Sequence, residues 1–314
     1  MRAEILFNPM AGRFPSLPLV ERAAEVFQRN GWDIRLTKSG SVEQFAELTE
    51  RAAAEELDVV LVAGGDGSVN KAASRLLGTG TALGVLPAGT ANVWAQEIGL
   101  PVLSWTNWNA LEKSAQKLAE GEIRTVDVGL CRETPFLLWA GIGLDGFIVH
   151  HLEPRSKLEK QFAEIQYAAN LAWYASRWEG MELEISADGE YIKGTYVLAL
   201  VSNIGLYAGG YAKVSPGARI DDGMMELWLF AGDSLAEIIQ HVWSVISGTH
   251  QASKKVRGIQ CRRVELSSTA DLYLQVDGEP LPAGEEVVVE IQPQALQVLV
   301  PEKISRPMFS EDSP

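Results

Sequence analysis

Between Asp58 and Asn70 the chain reads DVVLVAGGDGSVN, an apolar run closed by three glycines, an aspartate and a hydroxyl residue. The run Asp58–Ala63 is too short for a helix and too continuously apolar for a strand with one wet face. It therefore predicts a buried parallel strand. Gly64, Gly65 and Gly67 remove every Cβ from that strand's carboxyl end, which is where open α/β sheets bind ligands. Backbone N–H groups can then close on a bulky anion, helped by the positive end of a helix predicted over about 68–77. Asp66 would repel phosphate in such a turn unless a divalent cation lay nearby. The chemistry implied is nucleotide phosphate with a metal. A Gly-Gly-Asp-Gly turn can also be plain loop chemistry, and the two commonest phosphate fingerprints, G-x-x-x-x-G-K-[ST] and G-x-G-x-x-G, are both missing.

Two further strand ends carry small polar loops. Glu4–Phe7 runs into Asn8-Pro9-Met10-Ala11-Gly12-Arg13, and Ala82–Leu86 runs into Pro87-Ala88-Gly89-Thr90-Ala91-Asn92. One cleft at the edge of a parallel sheet requires such a set. In order, NPMAG, GGDGSVN and PAGTAN resemble the diacylglycerol kinase catalytic family, which includes bacterial lipid kinases and sphingosine kinases. The resemblance continues through Gly141-Ile142-Gly143-Leu144-Asp145, Pro216–Gly223 and Asp277-Gly278-Glu279, over about residues 3 to 300.

That resemblance implies ATP and Mg²⁺ and a definite set of residues. The nucleotide-binding positions are Asn8, Pro9, Ala11, Gly12, Arg13, Thr37, Gly64, Gly65, Asp66, Gly67, Ser68, Asn70, Gly89, Thr90 and Asn92. Glu279 is the first choice for the general base toward the acceptor hydroxyl and Asp277 the second. A carboxylate suffices, because alignment and charge neutralisation carry most of phosphoryl transfer. Asp222, with the main-chain carbonyls of Arg219 and Met224, is the implied magnesium site, an oxygen-only set that suits a hard cation; Asp66 is expected near a metal as well. The family often has Asp after the third-motif asparagine, where this chain has Val93. In relatives that acid joins a network with the GGDG aspartate and a basic residue, here Arg13, which Asp127 can still pair. Restoring an acid by Val93→Asp is expected to retain or raise activity.

Bland readings stand beside these. Val276-Asp277-Gly278-Glu279 is a strong hairpin-turn signal whatever the function, and Ile220–Gly223 can be an acidic turn before a strand. His150 and His151 are adjacent, so they point apart and make a poor metal pair. Lys254-Lys255-Val256-Arg257 and Arg262-Arg263 form a cationic stretch that could meet anionic headgroups or simply be a solvated strand face. Trp94, Trp105 and Trp108 could line an apolar acceptor channel or pack in the core.

The elements that must position these residues follow from pattern. The chain has 314 residues, 46% of them apolar, which suits two domains with well-formed cores. Its net charge of −14 argues against a general nucleic-acid binder. Two cysteines without metal or redox spacing read as buried thiols in a reducing cytoplasm. There is no signal-like start and no apolar window long enough to span a membrane. Strand and helix alternate through about residue 127, with helices near 17–29, 41–56, 91–98 and 108–120, which predicts a parallel sheet with helices on both faces. Strands then dominate, at 136–140, 182–186, 191–202, 225–230, 259–267, 272–276, 286–291 and 297–300, interrupted by helices near 158–178 and 234–247. That is a mostly antiparallel β-sandwich. Ser41 with Gln44 and Ser234 with Glu237 read as capping boxes.

The expected fold is thus an α/β domain over 1–127 and a β-sandwich acceptor domain over 128–300, similar to the NAD-kinase and diacylglycerol-kinase fold. The family also implies that the strands near 296–300 return to the first domain and that 125–129 is a hinge. Residues 301–314 are polar and expected to be disordered. The function expected is transfer of the γ-phosphoryl group of MgATP to a lipid hydroxyl, diacylglycerol first. NAD kinase, or a weakened regulator binding nucleotide or lipid, are the alternatives. The expected location is cytoplasmic, with peripheral contact at the inner membrane face, and the oligomeric state is left between monomer and homodimer.

Overall fold

The computed structural model describes residues 1–9, 16–152, 173, 175–304 and 308–310. The expected site residues Ala11, Gly12 and Arg13 lie outside the described residues, as does most of the helix expected over 158–178. The chain divides into two units, one of Met1–Val128, Arg219–Asp222 and Pro293–Pro314, the other of Gly129–Ala218 and Gly223–Gln292.

In the first unit, strands β1 (Arg2–Phe7), β2 (Asp33–Lys38), β3 (Val59–Gly64) and β4 (Ala82–Pro87) pair in parallel in the order β2-β1-β3-β4. Every residue of β3 and β4 is buried, as a continuously apolar strand covered on both faces must be. Helices α1 (Leu17–Arg29), α2 (Val42–Ala54), α3 (Asp66–Leu76), α4 (Val93–Glu97) and α5 (Ala110–Ala119) alternate with these strands. α1 packs on α5 and α2 on α3. In α1 the inward stripe is Leu19, Val20, Ala23, Ala24 and Phe27, a helical period. Ser41 caps α2 by accepting the Gln44 N–H at 3.1 Å, but Gln44 Oε1 takes the Gly40 N–H, so the reciprocal half of the expected box is displaced by one residue.

The second unit is antiparallel. After β5 (Glu122–Cys131), which crosses from one unit to the other, come β6 (Thr134–Phe136), β7 (Trp139–Gly143), helix α6 (Leu144–Leu152), β8 (Met181–Ala187) and β9 (Glu190–Ser202). The short pair β10 (Leu206–Tyr207) and β11 (Ala212–Lys213) leads to β12 (Met225–Ala231), helix α7 (Leu235–Ile246), β13 (Val256–Cys261), β14 (Arg263–Val276) and β15 (Glu279–Val300). The order β13-β12-β9-β7-β14-β15 makes the main sheet of this unit, with β8 pairing both β9 and β14. Its core joins Ile142, Leu183, Ile185, Val201, Leu227, Leu266, Leu274 and Val289. α7 begins with a complete capping box, Ser234 with Glu237.

Three expectations need correcting. The strand expected over 136–140 is broken at Leu137–Leu138, where three consecutive amides turn to the Asp277 carboxylate. The strand expected over 259–267 is two strands of the same direction, interrupted at Arg262, where Asp188 accepts the N–H groups of Arg262 and Arg263 at 2.9 Å. The polar tail is not wholly free. Met308 is 2% exposed, and Ser310 donates its N–H and hydroxyl to Asp221 Oδ1 at 2.7 and 2.9 Å. No helix among the described residues is long and apolar enough to cross a membrane.

Candidate active site

β3 ends at Gly64, Gly65 is the N-cap of α3, and Asp66 is the first helical residue. The helix starts two residues before the expected Ser68, with the aspartate in its first turn where the dipole favours an acid. Ser68 and Val69 already donate to the Gly65 carbonyl, so the amides of Asp66 and Gly67 precede the first intrahelical bonds. Gly65 and Gly89 touch through bare backbone. A Cβ on Gly65 would lie 3.2 Å from the Gly89 Cα, and one on Gly89 would meet the Gly65 Cα closer than any real contact. The Gly89 loop is held by Asn92, a left-handed residue (φ +56°) whose Oδ1 accepts the Gly89 N–H at 2.9 Å and whose Nδ2 donates to the Gly89 carbonyl at 3.0 Å. Asp66 Oδ1 accepts the Trp94 N–H at 3.2 Å, tying the two loops together. Burial pushes the Asp66 carboxyl above its ordinary range, against the pull of amides at 92–94. A carboxylate so placed is one that a bound cation would stabilise.

The first loop joins the same group. Asn8 Nδ2 donates to Ser68 Oγ at 2.9 Å, and the Asn8 N–H continues the β1–β3 ladder to the Ala63 carbonyl. The first unit thus brings together Asn8, Gly64, Gly65, Asp66, Ser68, Gly89 and Asn92, with Pro9, Gly67, Asn70 and exposed Thr90 on the same segments. Asn70 takes the Ser74 hydroxyl on its main-chain carbonyl, one turn into α3. Thr37 lies near the carboxyl end of β2, paired with Leu6 of β1. Its hydroxyl donates at 2.5 Å to Glu4, a fully buried carboxylate that also pairs with Arg35 and Arg51. Burial pushes the Glu4 carboxyl up, but these donors outweigh it and hold it below the usual range. Asp127 is fully buried and accepts the Gln294 N–H at 2.7 Å. Val93 is 2% exposed and Trp94 1%, so both are core residues, whereas Trp105 and Trp108 stack edge to face at the surface.

In the second unit Asp277 and Gly278, at φ +48° and +86°, form the two central residues of a type I′ hairpin turn between β14 and β15. Asp277 Oδ1 accepts the N–H groups of Leu138 and Trp139 at 2.9 and 3.1 Å, and Oδ2 that of Leu137 at 2.9 Å. Both oxygens of Asp277, the second choice for the base, are thus engaged by the backbone of 137–139. Glu279, directly after the turn, is exposed. Behind the turn, Gln275 accepts the Gly278 N–H on Oε1 and donates through Nε2 to Asp145 Oδ2, both at 2.7 Å. Burial pushes the Asp145 carboxyl up, while Gln275, Tyr207 and Trp139 pull it down. Gly141 leaves the space that Asp145 fills. Asp145 belongs to the Gly141–Asp145 motif, but no local signal marks its bond to Gln275, which spans 130 residues of chain.

For the magnesium set, Arg219 donates to the Phe309 carbonyl at 2.6 Å and Asp221 is engaged by Ser310. Asp222 and Met224 are half-buried. Arg219 and Asp222 belong to the first unit and Met224 to the second. As an oxygen donor, the Asp222 carboxylate is of a chemistry that suits Mg²⁺. Among the described residues no three acidic, histidine or cysteine side chains gather to hold a metal, so an ion on Asp222 would draw its other ligands from backbone and water. His150 bonds the Leu274 carbonyl and His151 the Phe147 carbonyl. The cationic stretch is largely compensated. Lys255 pairs with Glu237, Arg257 with Glu190, and Arg263 with Glu265 and Glu290.

A parallel α/β unit with glycine loops at its strand ends, and an antiparallel unit with a carboxylate hairpin, define a phosphotransferase of the NAD-kinase-like class. The diacylglycerol kinase catalytic domain model matches residues 2–131, and that of the YegS C-terminal NAD kinase beta sandwich-like domain matches 141–300. The chain belongs to the diacylglycerol kinase catalytic-domain family and is by class a lipid kinase. It is 26% identical over 280 residues to a diacylglycerol kinase of Bacillus subtilis (strain 168), covering 88% of this chain and 89% of that one. It is 27% identical over 302 residues to one from Mycobacterium tuberculosis (strain ATCC 25618 / H37Rv), covering 94% of each. The crystal structure of a diacylglycerol kinase from Bacillus anthracis str. Sterne has the same fold, with a TM-score of 0.72 at 17% identity over 95% of this chain and 96% of that one.

Proposed function

We propose that this lipid kinase transfers the γ-phosphoryl group of ATP to the free hydroxyl of diacylglycerol. The observation that carries the nucleotide half is the backbone contact of Gly65 with Gly89 beside buried Asp66. Two loops without side chains between them leave amides to surround a phosphate chain. The helix α3 adds its positive end. Mg²⁺ would neutralise phosphate charge when bound, with Asp66 and Asp222 the carboxylates suited to hold it. Glu279 is the group assigned to take the acceptor proton; Asp277, Gln275 and Asp145 hold its hairpin in shape. The choice of acceptor is supported by the relatives that carry the name diacylglycerol kinase. Labelled ATP offered with diacylglycerol, sphingosine, a ceramide and NAD side by side tests the reading. Label in phosphatidic acid is the expected result. Label only in NADP or in a sphingoid phosphate would overturn the acceptor, and no label in any would overturn the phosphotransfer itself.

A further inference from the structure

Most surface helices hide an apolar stripe and show a polar one. α7 shows an apolar stripe. Leu235, Ile239, Val242, Trp243 and Ile246 are 38%, 51%, 52%, 68% and 60% exposed. Their spacing, i, i+4, i+7, i+8 and i+11, puts them on one face of the helix. The opposite side is anchored: Ile238 and His241 are buried, His241 Nε2 bonds the Ala231 carbonyl at 2.8 Å, and its ring meets Phe230 edge-on. The outward face is therefore fixed by the fold.

We propose that this face of α7 is a docking surface for an anionic lipid bilayer. Charge favours that occupant. The helix carries a single acid, Glu237, which Lys255 neutralises at 2.7 Å and whose carboxyl, with that lysine the largest cause, is held down to about 2. Lys213, on the β11 strand that packs against α7, and Lys254 are exposed and form no ion pair among the described residues. Tyr211, next to β11, is 91% exposed. An uncharged aliphatic face with a tryptophan, rimmed by lysines on a chain of net charge −14, matches the make-up of helices that lie in a membrane interface. A second copy fits less well. The face is about 18 Å long, a few hundred Å² at most, below what a stable dimer buries. The surface deepens the lipid-kinase reading, since the acceptor is a bilayer component, but it stands on α7 alone.

Vesicle flotation without ATP decides it, whichever acceptor is phosphorylated. The full chain should float with vesicles of phosphatidylcholine plus phosphatidylglycerol and much less with phosphatidylcholine alone. Ile239→Gln with Trp243→Gln should lower the bound fraction by roughly tenfold or more, with an unchanged circular dichroism spectrum and melting point. Ile246→Ser serves as an independent variant should the double one fail to fold. Lys213→Gln with Lys254→Gln should remove the preference for the anionic vesicles. A full chain that stays unbound, or variants that float as it does, overturns the proposal. So does a concentration-dependent dimer in sedimentation that Trp243→Gln dissociates while no vesicle is bound, which would give the face to a second copy.

Discussion

Asp277 and Glu279 sit two residues apart in different surroundings, the one buried and the other exposed. Glu279 is exposed, so Glu279→Gln should leave the melting point unchanged and lower kcat by roughly 10²–10⁴-fold if it is the base. Asp277→Asn should do the reverse. An amide offers one acceptor oxygen where the native group takes three N–H donors, so a buried amide loses its partner at a cost of about 1–3 kcal/mol. Measuring kcat and the urea midpoint on both variants separates them. A Glu279→Gln enzyme of normal rate removes the base assignment. Val93 is the second case. The expectation that Val93→Asp keeps or raises activity rested on the acid that relatives carry beside the asparagine, whereas here Val93 is 2% exposed and its amide faces Asp66. A carboxylate there would be buried beside another. The start of the short helix α4 returns at most about 1 kcal/mol, against roughly 3–5 for an uncompensated buried charge. Val93→Asp should therefore lower both stability and rate. A variant with native midpoint and faster turnover would show that the loop opens to accept the acid.

At the scale of the element, the loops after β3 and β4 define each other through one contact. Gly65 has φ −104° and ψ −179°, extended backbone that any residue adopts, so its lack of a side chain serves space and not conformation. Gly89 is the tighter of the two, because a Cβ there would also meet Asn92 Oδ1 at 2.7 Å. Gly89→Ala should push the loops apart, weaken ATP binding in calorimetry and cost about 1–3 kcal/mol, the usual penalty of overpacking. Gly80→Ala, where a Cβ meets nothing, is the control and should change neither. Equal ATP affinity in a folded Gly89→Ala chain would detach this contact from nucleotide binding. Such loops were readable in the sequence because their signals are local: an apolar run, then glycines, then a helix. The Ser234–Glu237 capping box was readable for the same reason. The break at Leu137–Leu138 was not, since its cause lies about 140 residues away in Asp277. Nor was the interruption at Arg262, where Asp188 takes two amides. For α7, periodicity predicts an amphipathic helix but cannot say that its larger apolar face looks outward.

Across the whole molecule, the first unit is assembled from three stretches of chain, and its last stretch does more than finish β15. Met308 is buried, its carbonyl accepts the Ile220 N–H at 2.9 Å, and the Phe309 carbonyl takes Arg219 at 2.6 Å. The Phe309 ring lies under the Arg124 guanidinium at 4.8 Å, and Ser310 holds Asp221. Residues 308–310 thus clamp the 219–222 segment that carries the acidic turn. Polarity alone suggested a disordered tail, because three anchored residues within a polar stretch leave no compositional mark. Cutting the chain after Ile304 removes the burial of Met308, about 1.5–3 kcal/mol, along with these hydrogen bonds. The melting point should fall by roughly 3–10 °C for a unit of this size. Met308→Ala should give the packing part of that loss alone, and Asp221→Ala a smaller part through Ser310. If the shortened chain melts with the full one, the tail rests on the surface without holding it, and residues 219–222 must be ordered by the strands around them.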